Sequence, residues 1–282
     1  MDKAAPAAAP SPSPPPQPIA QWPLADRQRI TGVFTDIDDT LTAEGAITAD
    51  ALAALAALRE AGLPVIAITG RPLGWCEALA CDWPLEAIVA ESGAAALIPE
   101  GHNASGRRIF RRLYQQDAAT RAANAVRLRE IGARILREVP GAQIATDSAG
   151  RETDLSIDHG EVHLLDPARI AQVLAIMRAE GLHATVSSIH INGGYGPHDK
   201  RAGARWIVRQ RFGRDLDSER HAWAFTGDSG NDLALFEYLP NSIGVANIRR
   251  VLPALAHPPR YITLGERGAG FAEMARALLA AR

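Results

Sequence analysis

The stretch Ile30-Thr-Gly-Val-Phe-Thr-Asp36-Ile-Asp38-Asp39-Thr40 decides how the rest of the chain is read. Its first half is a short apolar run, which suits a strand buried on both faces. Its second half places three carboxylates within four residues at the strand's end. Carboxylates that close repel one another unless a positive charge neutralises them. Mg²⁺ is the natural choice, because it is a hard cation that takes one or two carboxylates and keeps several waters. The competing reading of this cluster alone is a solvated acidic turn or a helix cap.

The same pattern recurs on both sides. Pro64-Val-Ile-Ala-Ile-Thr69 predicts a second buried strand and Leu85–Ala90 a third, with helices from Thr48 or Asp50 to Glu60 and from Pro72 to about Ala80. Toward the end, Trp223–Thr226 and Ser242–Val245 predict strands, and Asn231–Leu239 and Glu266–Ala281 predict helices. Short apolar strands alternating with helices imply an α/β fold whose parallel sheet is covered on both faces. The middle differs. A long helix (Ala118–Glu138), strands at Gln143–Thr146 and Thr153–Asp158, a helix (Pro167–Glu180) and one strand (Ala184–Asn192) predict an inserted α/β layer. The expected division is a disordered Ala/Pro-rich tail at 1–22, a Rossmann-like core formed by 23–98 and 196–282, and a cap at 99–195.

Composition narrows the function. The 282 residues are 47% hydrophobic and 22% charged, enough for a sizeable core, and the formal charge of −2 lacks the basic excess of a general nucleic-acid binder. No run reaches the roughly 18 uncharged apolar residues of a membrane span. Two cysteines, Cys76 and Cys81, give no disulfide scaffold, so a reducing cytoplasm is the expected setting. The prolines from Pro6 to Pro18 interrupt any signal-peptide apolar run.

In a doubly wound sheet, ligands bind beyond the carboxyl ends of the strands. Besides the first acidic cluster, three polar groups fall there: Thr69-Gly70-Arg71, which suits a phosphate cradle; Lys200, at the head of an amphipathic helix; and Gly227-Asp228-Ser229-Gly230-Asn231-Asp232, whose acids four apart suit a metal. Taken singly, each also reads as an ordinary turn or a solvated charge.

Together, Asp36-x-Asp38-x-Thr40, Thr69-Gly-Arg71, Lys200 and Gly-Asp228-x-Gly-Asn231-Asp232 resemble, in order and spacing, the four motifs of the haloacid dehalogenase superfamily. The insertion between the second and third motifs resembles the cap of its Cof-like, sugar-phosphatase branch. The resemblance implies a phosphoric monoester hydrolase. Asp36 would be the nucleophile that forms an aspartyl-phosphate, and Asp38 the acid that protonates the leaving alcohol and then activates water. It implies Mg²⁺ held by Asp36, Asp38 through its backbone carbonyl, Asp228 and Asp232, with Thr69 and Lys200 on the phosphoryl oxygens. Gly70, Arg71 and Asn231 are supporting candidates. Arg151 and Asp154, on an alternating cap strand, are candidates for substrate selection. The Arg107–Arg112 run, expected on the cap, is a solvated face or an attractor for anions. The expected substrate is a small phosphorylated metabolite of the sugar-phosphate class, with no nucleic-acid or membrane partner. The alternatives are a phosphomutase, a glycosyltransferase using Asp36-x-Asp38, and a non-catalytic phosphate-binding protein.

Overall fold

A computed structural model describes residues 14–79 and 82–282. Residues 1–13 and Cys81 lie outside the described residues. The main sheet has nine strands in the order Gln17–Pro18, Tyr261–Ile262, Asn241–Gly244, Trp223–Gly227, Gly32–Thr35, Val65–Ile68, Ala87–Ala90, Ala95–His102 and Arg108–Tyr114. The first seven run parallel; Ala95–His102 turns back antiparallel, and Arg108–Tyr114 reverses again to run with the first seven. Gly32–Thr35 therefore lies in mid-sheet, and the acids that follow it emerge at a carboxyl edge shared with its neighbours. Successive strand residues alternate between two cores. Val33, Val65 and Ile88 pack beneath helices Ala49–Glu60 and Arg267–Leu279, while Phe34, Ile66 and Val89 pack beneath Lys200–Phe212. Thr48 caps the first of these helices through its hydroxyl, which accepts from the Ala51 amide at 3.3 Å. Cys76 is buried in the first core as a packing residue.

A second, four-stranded antiparallel sheet runs His183–Val186, His190–Gly194, Asp154–Asp158, Gln143–Ile144. Helices Ala118–Glu138 and Pro167–Ala179 cover one face of it and bury Leu155, Ile157 and Ile191. The opposite face carries Asp154, Ser156 and Asp158 with their cross-strand partners Gly194, Asn192 and His190. That polar face looks onto the carboxyl edge of the main sheet.

Four expectations need correction. Residues 17–22 are not a free tail: Gln17–Pro18 adds a parallel strand at the sheet's edge, and Trp22 is buried with its indole N–H donating to Asn241 Oδ1 at 3.1 Å. The cap does not begin at 99, since 95–102 and 108–114 extend the core sheet as a hairpin. The arginines of that hairpin accordingly sit on an edge strand and bind locally, Arg111 with Glu100, and Arg112 with Glu77 and Glu152. Finally, 184–192 is two strands joined by a turn at Ser187-Ser188-Ile189, where the Ser187 hydroxyl accepts from the His190 amide at 2.9 Å. Among the described residues, no helix is long and apolar enough to cross a membrane.

Candidate active site

Strand Gly32–Thr35 ends by passing its next amide, that of Asp36, to the Thr226 carbonyl of the adjacent strand at 2.8 Å. This contact brings the acidic loop after one strand against the acidic loop after the other. Oxygens of Asp36, Asp228 and Asp232 converge to within 4.8 Å of one another, all three residues buried. Asp232 is fixed because one of its oxygens accepts from the amides of Asp228 at 2.9 Å and Ser229 at 3.0 Å. A Cβ on Gly227 would fall 2.4 Å from that oxygen, so the turn requires glycine there. Asn247, unremarked in the sequence, donates to Asp228 at 3.1 Å and to the Asp39 carbonyl at 3.0 Å, tying the two loops together.

Lys200 lies 1% exposed between two of these acids, its Nζ 2.5 Å from Asp36 and 2.7 Å from Asp232. Asp199 caps the helix that delivers it, accepting from the Ala202 amide at 2.7 Å. Burial opposes the lysine's charge, but Asp232 and Asp36 outweigh it and hold Lys200 above the usual lysine range. One ammonium does not balance three carboxylates. Burial pushes Asp36 well above the normal carboxylate range, and Asp232 and Asp38 push the same way against Lys200. Asp228 is raised by burial and then by Asp36 and Asp232, and its Oδ1 is buried without a hydrogen-bond partner among the described residues. An all-oxygen set with excess negative charge and an unmatched lone pair fits a hard divalent cation.

Asp38 sits beside this cluster and faces another way. Arg71 Nε lies 3.0 Å from both of its oxygens. Burial raises Asp38, and Arg71 opposes that rise. Thr69 is fully buried, its hydroxyl accepting the Arg71 amide at 3.0 Å. Asn231 accepts from the Ser229 hydroxyl at 2.9 Å. Asp38, Asp39, Arg71, Glu161 and Arg267 border a cavity of about 360 Å³ that opens between the sheets.

Arg151 and Asp154 reach the seam between the two sheets, where their polar groups are engaged with each other at 2.9 Å and with core backbone. Arg151 Nη1 donates to the Gly70 carbonyl at 2.9 Å, and Nη2 pairs with Asp147 at 3.1 Å. Glu91, which the sequence reading passed over, binds the seam more firmly. Its buried carboxylate accepts from the amides of Leu73 at 3.1 Å, Glu152 at 3.1 Å and Thr153 at 2.6 Å, and from the Thr153 hydroxyl. Burial pushes Glu91 up to about 7, with Asp154 adding to the rise. Glu91 and Ser92 both adopt left-handed backbone, φ +50° and +54°, a conformation that costs about 1 kcal/mol or more in a non-glycine residue. Its signal in the sequence was its place, directly beyond a buried strand, the position that drew attention to the other acids.

Comparison with known proteins finds relatives of this fold. Residues 33–145 match the family model of haloacid dehalogenase-like hydrolases. No curated protein matches the chain. Among solved structures, a protein from Thermoplasma acidophilum is 15% identical with a TM-score of 0.65, covering 89% of this chain and 98% of that one. The sucrose-phosphatase of Synechocystis sp., solved with sucrose and phosphate, is 16% identical with a TM-score of 0.61, covering 88% and 97%. A subclass IIB sugar phosphatase is 14% identical with a TM-score of 0.59, covering 89% and 100%. At these identities the likeness is one of fold.

Proposed function

We propose that this chain, a haloacid dehalogenase-like hydrolase, is an Mg²⁺-dependent phosphatase that cleaves a small phosphorylated metabolite of the sugar-phosphate class through an aspartyl-phosphate. The observation that carries this reading is the convergence of Asp36, Asp228 and Asp232 on one point beside Lys200, with Asp38 adjacent and facing the cavity. Asp36, Asp228, Asp232 and the Asp38 backbone carbonyl would hold the ion. When bound, Mg²⁺ supplies the charge that lets one anion, the Asp36 carboxylate, approach another, the phosphoryl group.

Asp36 attacks phosphorus and forms the Oδ–P bond as the bond to the leaving oxygen breaks. Asp38 gives its proton to that oxygen, then takes one from the water that hydrolyses the aspartyl-phosphate. Lys200 and Thr69 hold the non-bridging oxygens as charge shifts, with the Gly70 backbone, Arg71 and Asn231 supporting that loop. Arg151 and Asp154 act on the leaving-group side by fixing the cap against Gly70. The small cavity favours a metabolite over a macromolecule, and two of the similar folds belong to a sucrose-phosphatase and a sugar phosphatase. We read a reducing cytoplasm as its setting.

The test is release of inorganic phosphate from a panel of phosphorylated sugars and nucleotides, with and without Mg²⁺. Release that needs Mg²⁺ and is fastest on sugar phosphates supports the reading. Binding of phosphate esters without release would make the protein a phosphate binder. Isotopic phosphate recovered in a rearranged sugar would make it a mutase.

A further inference from the structure

Arg71 does more than border the cavity. Its guanidinium meets Asp38 from the core, with Nη2 also 2.9 Å from Asp38 Oδ1, and meets two carboxylates from the inserted layer. Nη1 pairs with Asp147 at 3.2 Å and Nη2 with Glu161 at 2.6 Å. Its carbon lies 5.0 Å from the centre of the Trp75 ring, so the group is flanked on its face as well as its edge. A guanidinium fixed in this way has one orientation, and the Asp38 carboxylate it grips inherits that orientation.

Glu161 is itself held from two sides. The loop that carries it folds around Asp158, whose carboxylate accepts the amides of Gly160 at 3.1 Å, Glu161 at 2.9 Å, Val162 at 3.0 Å and His163 at 3.1 Å. Its Oε2 lies 3.0 Å from Nε2 of His190, a residue 2% exposed on the neighbouring cap strand. The chain His190–Glu161–Arg71–Asp38 thus runs unbroken from the middle of the cap sheet to the acid of the core. Among the described residues, no other side-chain path in hydrogen-bond contact joins a cap strand to Asp38 except Arg151–Asp147–Arg71, which reaches the same guanidinium.

We infer that Glu161 and His190 are positioning residues for the reaction: acting through Arg71, they set the direction in which Asp38 presents its proton to the leaving oxygen. The inference rests on the phosphatase reading and deepens it. It makes the acid fully aligned only when the cap is seated.

General acid catalysis matters most for poor leaving groups and little for good ones, which gives the experiment its readout. Phenyl phosphate and p-nitrophenyl phosphate have nearly the same shape and no sugar hydroxyls, but their phenols differ in acidity by about three pKa units. kcat/KM, which reports the steps through phosphorylation of Asp36, is measured for both with the Mg²⁺-loaded full chain and its variants. Glu161→Gln is expected to lower kcat/KM on phenyl phosphate tenfold or more and on p-nitrophenyl phosphate less than threefold. His190→Gln should move the ratio the same way by a smaller factor. Asp38→Asn sets the largest change in ratio. Glu161→Asp, which keeps the charge but is one methylene shorter, serves if Glu161→Gln melts early, and it should also steepen the dependence.

Equal losses on the two aryl phosphates would assign Glu161 to the fold and overturn the inference. A loss confined to sugar phosphates, with the aryl ratio unchanged, would make Glu161 a substrate contact and overturn it too. If the parent protein hydrolyses none of these esters with Mg²⁺ present, the phosphatase reading falls and the inference with it. A parent that turns over with an unaltered ratio in every variant overturns only the inference.

Discussion

The seam between core and cap closes on two glycines, and a single methyl group there should hold it open. Gly74, in helix Leu73–Leu79, faces Gly150 of the cap, and a Cβ on Gly74 would lie 2.9 Å from the Gly150 Cα and 3.4 Å from its carbonyl oxygen. Ordinary carbon contacts begin near 3.5 Å, so Gly74→Ala must push the two backbones apart by about 0.6 Å. Neither side is a flexible side chain that could swing away. The same displacement carries Arg151 Nη1 and the Gly70 carbonyl, now 2.9 Å apart, to about 3.5 Å, and Arg71 and Asp147, now 3.2 Å apart, to about 3.8 Å. Both contacts involve an arginine, and such bonds contribute about 1.5–3 kcal/mol each. Losing most of one places the closed arrangement about 2 kcal/mol higher, or about thirtyfold less populated. Gly74→Ala should therefore cut kcat/KM on the best sugar phosphate about thirtyfold. Helix stability should not suffer, because alanine favours a helix over glycine by about 1 kcal/mol. Gly150→Ala approaches Gly74 Cα at 3.1 Å and should show the same defect more mildly. Steady-state kinetics with a thermal melt on each variant decides the matter. Turnover within threefold of the parent would mean that the seam yields without consequence, and the account of it given above is wrong.

Asp36→Asn should abolish phosphate release while leaving the melting temperature unchanged or higher, since it removes one charge from a crowded buried cluster; activity within tenfold of the parent would refute the nucleophile assignment. Removal of residues 1–13 should alter neither stability nor rate, whereas removal of 1–22 takes away an edge strand and a buried indole, a loss on the scale of about 3–5 kcal/mol. Equal melting temperatures for the two truncations would show that Trp22 is not an anchor. Glu91 should make stability depend on pH. Its carboxyl is raised from 4.5 to about 7 in the folded protein, so its contribution is complete below pH 4.5 and is lost as pH rises through 7, a change of up to about 3 kcal/mol. Urea unfolding of the parent and Glu91→Gln at pH 5 and pH 8 should show the parent losing ground to the variant at the higher pH; parallel behaviour would contradict it.

The carboxyl-edge acids were legible because both parts of the signal are local: an apolar run and the charges that end it. Lys200 is 164 residues from Asp36, and its place between two acids could be anticipated only from the order of the motifs. Glu91 and Glu161 escaped for a related reason. The partner of Glu91, Glu152, lies 61 residues away in the inserted unit, and Glu161, itself in that unit, meets Arg71 of the core 90 residues away; no periodicity encodes a contact across two separately folded sheets. The turn at Ser187-Ser188-Ile189 was hidden because it has no glycine or proline, and its two serines, weaker turn formers, stand between the β-branched Val186 and Ile189. Arg108–Tyr114 reads Arg-Ile-Phe-Arg-Arg-Leu-Tyr, without the strict alternation that marks a half-buried strand, so its arginines read as a solvated face or an attractor for anions rather than as part of an edge strand. Trp22 was misread with the proline run before it, although a tryptophan seldom lies idle at the foot of a folded domain.

The alternation along Asp154–Asp158 divides heredity as well as space. Leu155 and Ile157 belong to the cap's interior, and Asp154, Ser156 and Asp158, with Asn192 and His190 across the ladder, belong to the face it turns toward the core. A mutation on one set leaves the other's neighbours untouched, because the pleat separates them to opposite sides. Ser156 and Asn192, whose side-chain polar atoms have no hydrogen-bond partner among the described residues, can therefore be exchanged one at a time while the helices behind continue to recognise the same sheet. On the phosphatase reading proposed above, changes there would alter selectivity without rebuilding the cap.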